Sequence, residues 1–208
     1  DRVIDLPNQN NEIKYLNDFK CDKKCFVGGS TWEKDESLII KFINSYEKND
    51  VCFIIAPHQI NSNRINKLKK LITKNTILMS ELAKSNAINP EVIIIDSIGL
   101  LTKVYSYANI AYVGGGMGNT GLHNTLEPAV FKIPVIIGNN FEKFPEAKEL
   151  IDLKGMISIN NITSFTNELN ELLNSKEKRD QMGNINYDYI NTNLGTYKKV
   201  INYLKEKK

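Results

Sequence analysis

The chain has only two histidines, one tryptophan and three cysteines, and each scarcity closes off some chemistry. Cys21, Cys25 and Cys52 are odd in number, and no further Cys or His stands at metal-ligand spacing, so no zinc site is expected. Cys52 lies inside the apolar run 51–56 and reads as a small buried hydrophobe of a reducing compartment. No apolar run reaches the roughly 18 residues of a membrane span. The opening Asp1-Arg2-Val3-Ile4-Asp5 is not a charged segment leading into an apolar one, so no signal peptide is expected either. The first residue is not Met, which reads as a fragment or a processed product. No G-x-x-x-x-G-K-[ST] occurs, which leaves P-loop hydrolysis without support. Nor is there a block of one charge: 27 basic and 24 acidic residues give a net +3, with lysines scattered among acids, so no nucleic-acid partner is expected.

What the chain does have is a regular alternation. Short runs rich in β-branched residues at 25–29, 51–56, 76–80, 92–96, 110–113, 134–138 and 156–159 read as buried strands. Between several of them apolar residues recur at helical period, as in Leu38, Ile39, Phe42, Ile43 and Tyr46, in Ile65, Leu68, Leu71 and Ile72, and in Phe144, Ala147, Leu150 and Ile151. This predicts an α/β fold: a Rossmann-like three-layer α/β/α sandwich with a mostly parallel sheet of six or seven strands. Residues 162–208 predict two or three closing helices, and the whole of 1–208 reads as one domain. The basic end of the chain, Lys198-Lys199 and Lys205-Glu206-Lys207-Lys208, reads as a solvated helix end rather than a lipid contact.

In such folds ligands bind beyond the carboxyl ends of the strands, and the polar and glycine residues of this chain collect there. Gly28-Gly29-Ser30-Thr31-Trp32, Pro57-His58-Gln59, Ser80-Glu81, Asp96-Ser97-Ile98-Gly99, the glycine-rich stretch 114–124 and Gly138-Asn139-Asn140-Phe141 each follow a strand. Six strand ends of this kind predict one rim and one site. In 114–127 the glycines permit close backbone approach, and a helix expected near Asn124 would offer N–H groups and a positive dipole end to an anion. Glu127, expected one turn inside it, would accept hydrogen bonds from a vicinal diol. The competing reading is a loose loop, with Glu127 merely favouring the dipole. Ser30 and Thr31 could bind a phosphate or sugar carboxylate, or cap the helix that follows. His58 and His123 both fall on the rim, where phosphate or sugar contact is open to them. Asp96 could serve the rim or cap a helix near Gly99. Gly116-Met117-Gly118-Asn119-Thr120-Gly121 matches the dinucleotide fingerprint, but it follows the fifth strand with no acid at the next strand tip, so a NAD-dependent oxidoreductase has little support.

The ordered segments Val27-Gly28-Gly29-Ser30-Thr31-Trp32, Ile55-Ala56-Pro57-His58, Ser80-Glu81-Leu82, Ile94-Ile95-Asp96-Ser97-Ile98-Gly99, Ala111-Tyr112-Val113-Gly114-Gly115-Gly116, His123-Asn124-Thr125-Leu126-Glu127-Pro128-Ala129 and Ile133-Pro134-Val135-Ile136 resemble the C-terminal half of 3-deoxy-D-manno-octulosonate (Kdo) transferases. The resemblance implies one half of a glycosyltransferase-B fold, with the cleft between two Rossmann-like domains. Cytosine would lie against Ile98, Gly99 and Leu100, and the ribose on Glu127. The phosphate would lie near Ser30, Thr31, Gly115, Gly116 and the His123-Asn124 turn, with Asn140 and Lys143 facing the Kdo carboxylate or phosphate. Pro57-His58 departs from the family, many of whose members carry Arg before this His, and the glycine loop is one residue long near Asn119-Thr120. The implied donor is CMP-Kdo, with no metal and no further cofactor. The implied acceptor is a lipid A precursor of lipopolysaccharide, held with the catalytic base in an N-terminal domain, so no catalytic residue is expected here. The implied setting is peripheral, on the cytoplasmic side of the inner membrane, through the parent protein alone. A UDP-sugar-dependent glycosyltransferase-B domain and a non-catalytic nucleotide-binding module are the alternatives.

Overall fold

In the computed structural model, residues 2–84 and 89–195 are described. Seven strands form one sheet: β1 (Lys24–Thr31), β2 (Val51–Pro57), β3 (Thr76–Leu78), β4 (Val92–Ile94), β5 (Ile110–Val113), β6 (Val135–Gly138) and β7 (Met156–Ile159). Every pairing is parallel, in the order β3-β4-β2-β1-β5-β6-β7. The fold is therefore the α/β Rossmann-like sandwich that the alternation predicts, with the sheet wholly parallel.

Burial on both faces explains the unbroken apolar runs. All of β2 is buried, as a central strand covered on two sides must be. Residues of β1 alternate between two cores: Cys25 and Val27 pack with Ile54, Ile93, Ala111 and Val135 on one face, and Phe26 with Phe53, Tyr112, Ile136 and Phe165 on the other. On the second face Phe26 meets Phe53 and Phe165 at 6.1 Å between ring centroids, tilted in one case and edge-on in the other. Losing such a ring costs about 3–5 kcal/mol in a close-packed interior.

The helices α2 (Glu33–Ser45), α3 (Ser62–Leu71) and α6 (Pro145–Asp152) fall where the periodicity places them. Asn61 caps α3 by accepting the Arg64 N–H at 2.9 Å. The closing helices are α7 (Ile162–Asn174) and α8 (Lys176–Thr192), capped by Asn161 and Ser175. The stretch 196–208, where a third closing helix would fall and which holds the basic end, lies outside the described residues. Two short helices, α1 (Leu16–Lys20) and α4 (Leu101–Val104), are too brief for periodicity to reveal. A further one-turn helix, α5 (Leu126–Ala129), follows the glycine loop.

Strands β3 and β4 are each two residues shorter than expected. Asp96 accepts both the N–H and the hydroxyl of Ser80, at 3.0 and 2.5 Å, and this tie turns both chains out of the ladder. Asp96 therefore ties the end of β4 to the 3₁₀ turn that follows β3 (Met79–Lys84) rather than capping a helix near Gly99. Strand β1 is longer than expected and runs through a bulge at Ser30, whose φ is +51°. From β1 the chain moves outward to β2 and to β3 at the edge, comes back to β4 between those two, then crosses to the other side of β1 with β5. The adjacent ends of β1 and β5 thus lead in opposite directions and open the crevice in which ligands of this architecture sit.

Candidate functional site

The glycine loop after β5 has a packed half and an open half. A Cβ on Gly114 would lie 2.3 Å from the Ser30 carbonyl oxygen, one on Gly115 1.9 Å from that of Gly121, and one on Gly116 2.9 Å from the Gly138 nitrogen. These three glycines let the loop press between the ends of β1 and β6, which is a packing need. A Cβ on Gly118 would meet nothing nearer than 3.8 Å, so residues from Gly118 onward are the open half.

The packed half hangs on Asp35, which had no role in the sequence reading. Fully buried in the first turn of α2, its carboxylate accepts the N–H groups of Trp32 and Gly115, both at 2.9 Å, the Tyr112 hydroxyl at 2.7 Å and the Met117 N–H at 3.4 Å. Burial and the Asp35 charge together push the Tyr112 hydroxyl well above its ordinary pKa, which keeps it a donor. The Gly115 N–H, expected to face a phosphate, is committed to Asp35. From the β6 side Asn140 closes the same loop: its N–H donates to the Gly116 carbonyl at 2.9 Å and its side-chain amide to that of Gly118 at 2.8 Å.

Three rings gather at the ends of β1, β2 and the glycine loop. His58 stacks on Trp32 at 4.5 Å and on His123 at 4.4 Å, and the Trp32 indole N–H donates to His123 Nε2 at 3.0 Å. That bond requires an unprotonated Nε2. Burial and the neighbouring His58 lower the His123 pKa, against a smaller opposing pull from Asp35. The backbone holds the cluster, since His58 N–H donates to Thr31 O at 2.9 Å and His123 N–H to Gly114 O at 3.1 Å. The two histidines expected on the rim are thus in contact. Trp32, quoted in the family segments, completes the stack, with His58 between it and His123.

Thr31 is buried, and its hydroxyl donates to Glu36 at 3.0 Å; Glu36 in turn pairs with Arg64 at 2.9 Å. Trp32, not Thr31, is the N-cap of α2. What Thr31 offers a ligand is its place at the strand end rather than its hydroxyl. Ser30 is half-buried at the bulge, and Pro57 is the buried last residue of β2.

The helix expected near Asn124 begins at Leu126 and spans four residues, with Glu127 in second place rather than one turn inside. Asn124 accepts the Leu126 N–H at 3.1 Å, and its amide donates to Glu127 Oε1 at 3.1 Å. The turn has spent one of its N–H groups on itself and uses Asn124 to aim Glu127. Burial raises the Glu127 pKa, with Asn124 opposing. The carboxylate lies close enough to Tyr105 to help raise that buried hydroxyl's pKa too, after burial itself, and the Tyr105 ring fills the space a side chain on Gly29 would need. Glu127 therefore stands in the neighbourhood of Tyr105, whose ring lies under the end of β1 at Gly29. Ile98 and Gly99 are exposed, Ile98 to 91%, and Leu100 is the N-cap of α4, whose Leu101 packs under Gly29. On the far side, Gly118, Asn140, Lys143 and Phe144 line a cleft of about 350 Å³. A second groove of about 300 Å³ between α2 and α3, lined by Ile40, Arg64 and Leu71, contains none of the expected rim residues. Among the described residues no cluster of three or more potential metal ligands occurs, and no helix is long and apolar enough to cross a membrane.

No family model matches the chain. A 3-deoxy-D-manno-octulosonic acid transferase of Haemophilus influenzae is 31% identical over 193 residues, 90% of this chain and 45% of that protein. A bifunctional glycosyltransferase/methyltransferase of Fusobacterium nucleatum is 31% identical over 166 residues, 77% of this chain and 25% of that protein. This chain thus spans less than half the length of these curated relatives. Among solved structures, the C-terminal CMP-Kdo binding domain of WaaA from Acinetobacter baumannii superposes with a TM-score of 0.74 at 20% identity, covering 85% of this chain and 93% of that one.

Proposed function

The chain is a relative of the 3-deoxy-D-manno-octulosonic acid transferases, and from that kinship we propose that it is the donor-binding half of such an enzyme, holding CMP-Kdo for transfer to a lipid A precursor. The observation that carries this reading is Glu127: a half-buried carboxylate held by the Asn124 amide at 3.1 Å, at the turn that follows β5, on the side of the sheet where its order opens a crevice. A ribose laid there would give its vicinal hydroxyls to Glu127. The cytosine would lie along Ile98, Gly99 and Leu100, and the phosphate between the Ser30 bulge, Thr31 and the Pro57–His58 and His123–Asn124 turns. Gly115 and Gly116 would act by shaping the loop. Asn140 would fix its open end, and Lys143 would face the sugar acid.

The reaction is an inverting displacement. A base in a partner domain takes the acceptor hydroxyl's proton, the oxygen attacks the anomeric carbon and CMP departs. This half would bind and orient the donor and stabilise the leaving phosphate. It needs no metal on this reading, and the parent protein would meet the inner membrane through its other half.

The test is calorimetric titration of CMP into the chain and into Glu127→Gln. A carboxylate accepting two hydroxyls predicts a loss of about tenfold or more in the variant; equal affinity removes the ribose role. Competition between CMP and UDP decides between this donor class and a UDP-sugar.

A further inference from the structure

The charge around the crevice is wrong for the donor just proposed unless a cation is found. Such a donor carries a phosphate and a sugar carboxylate, yet the groups at the loop and its following turn are the Asp35 carboxylate, the Glu127 carboxylate held by Asn124, and His123 with an unprotonated Nε2. Arg64 is committed to Glu33 and Glu36. Two lysines are not committed: among the described residues neither Lys34 nor Lys143 has an ion-pair partner, and both border the open half of the glycine loop. Lys143 lines the cleft with Gly118 and Asn140. Lys34, on α2, also passes beside Gly118, its Cδ 3.8 Å from where a Cβ on that glycine would be. A lysine in the first turn of a helix works against the dipole, so the helix gains nothing from Lys34.

We infer that Lys34 and Lys143, both beside Gly118, together hold the carboxylate of an acidic nucleotide sugar, making Lys34 a specificity-determining residue for the donor. The inference rests on the donor-site reading and extends it, and the order of strands sets which anion the pair meets. On that reading the base would lie beyond β4 and the ribose at α5, with the phosphate at the β1–β5 crevice. The sugar then runs on toward β6, where Gly118, Asn140 and Lys143 wait.

The measurement is the ratio of affinities for CMP-Kdo and CMP on the 208-residue chain, by calorimetry, for the wild type, Lys34→Gln, Lys143→Gln and Lys34→Arg, with the thermal midpoint of each recorded. The expected result is a wild-type preference for CMP-Kdo that falls about five- to tenfold in each Gln variant at an unchanged midpoint, is regained in Lys34→Arg, and weakens with salt. An unmoved ratio in Lys34→Gln overturns the inference. So does an equal loss for CMP and CMP-Kdo, which would put the lysine on the phosphate. Failure of the wild type to bind CMP at all is a separate outcome and removes the donor-site reading beneath it.

Discussion

Asp35 and Gly115 stand 80 residues apart in the chain, and the buried carboxylate of the first accepts the N–H of the second at 2.9 Å. Through this bond and its partners to Trp32, Tyr112 and Met117, one side chain holds the start of α2, the end of β5 and the glycine loop in a single arrangement. The loop is therefore preformed rather than shaped by its ligand.

Replacing Asp35 should be among the most damaging single changes in the chain. Asp35→Ala leaves four donors in the interior without an acceptor, and Asp35→Asn puts an N–H₂ group where two of them point. Each should cost about 3 kcal/mol or more, read as a lower urea midpoint at unchanged slope, and CMP binding should weaken along with it. A loss below about 1 kcal/mol would show that the loop holds its shape without this clamp.

Two glycines with different surroundings should respond unequally to alanine. A Cβ on Gly138 would lie 2.2 Å from the Gly116 carbonyl carbon and 2.3 Å from the Met117 nitrogen. Gly138→Ala should cost several kcal/mol, since backbone must move. Gly99 has a φ of +87° and nothing within 4 Å, so Gly99→Ala should cost only about 1 kcal/mol of backbone strain. Thermal unfolding of the two variants side by side checks the contrast.

Thr31→Val separates packing from binding. The hydroxyl is spent on Glu36, so its removal should lower stability by about 1 kcal/mol and change CMP affinity less than about twofold. A large drop in affinity at unchanged stability would mean that the hydroxyl turns to the phosphate when ligand arrives.

The ring cluster predicts a pH dependence of definite sign. The folded-state pKa of His123 is lowered, chiefly by burial and then by His58, so the unfolded chain binds the proton more readily. The contribution of His123 is fully present above its ordinary value near 6.5 and is lost as pH falls through the lower folded value. Protonation also removes the acceptor for the Trp32 indole. The emission of this single tryptophan should shift over the same range, and His123→Ala should abolish the shift.

All seven strands were legible in the sequence because a fully buried parallel strand is an unbroken β-branched run, and the long helices because their apolar residues recur every three or four positions. Glu127, His58, His123 and the glycine loop were legible as residues of a rim, since each directly follows a strand or its turn. Asp35 was not. In Glu33-Lys34-Asp35-Glu36 it is one acid among three at a helix start, and only its burial and its partners from β5 distinguish it. The same holds for Lys34, whose neighbour Gly118 lies far along the chain.

The order of residue types along the chain thus determined the layers, the strands and the end of the sheet at which a ligand would be met, because these depend on local periodicity and on which residues can sit at a strand tip. Tertiary structure alone decided which backbone N–H groups of the glycine loop are already taken, which hydroxyl is spent inward and which lysines face open space. Those are matters of which distant groups come within hydrogen-bond reach, and a linear sequence records no such distances.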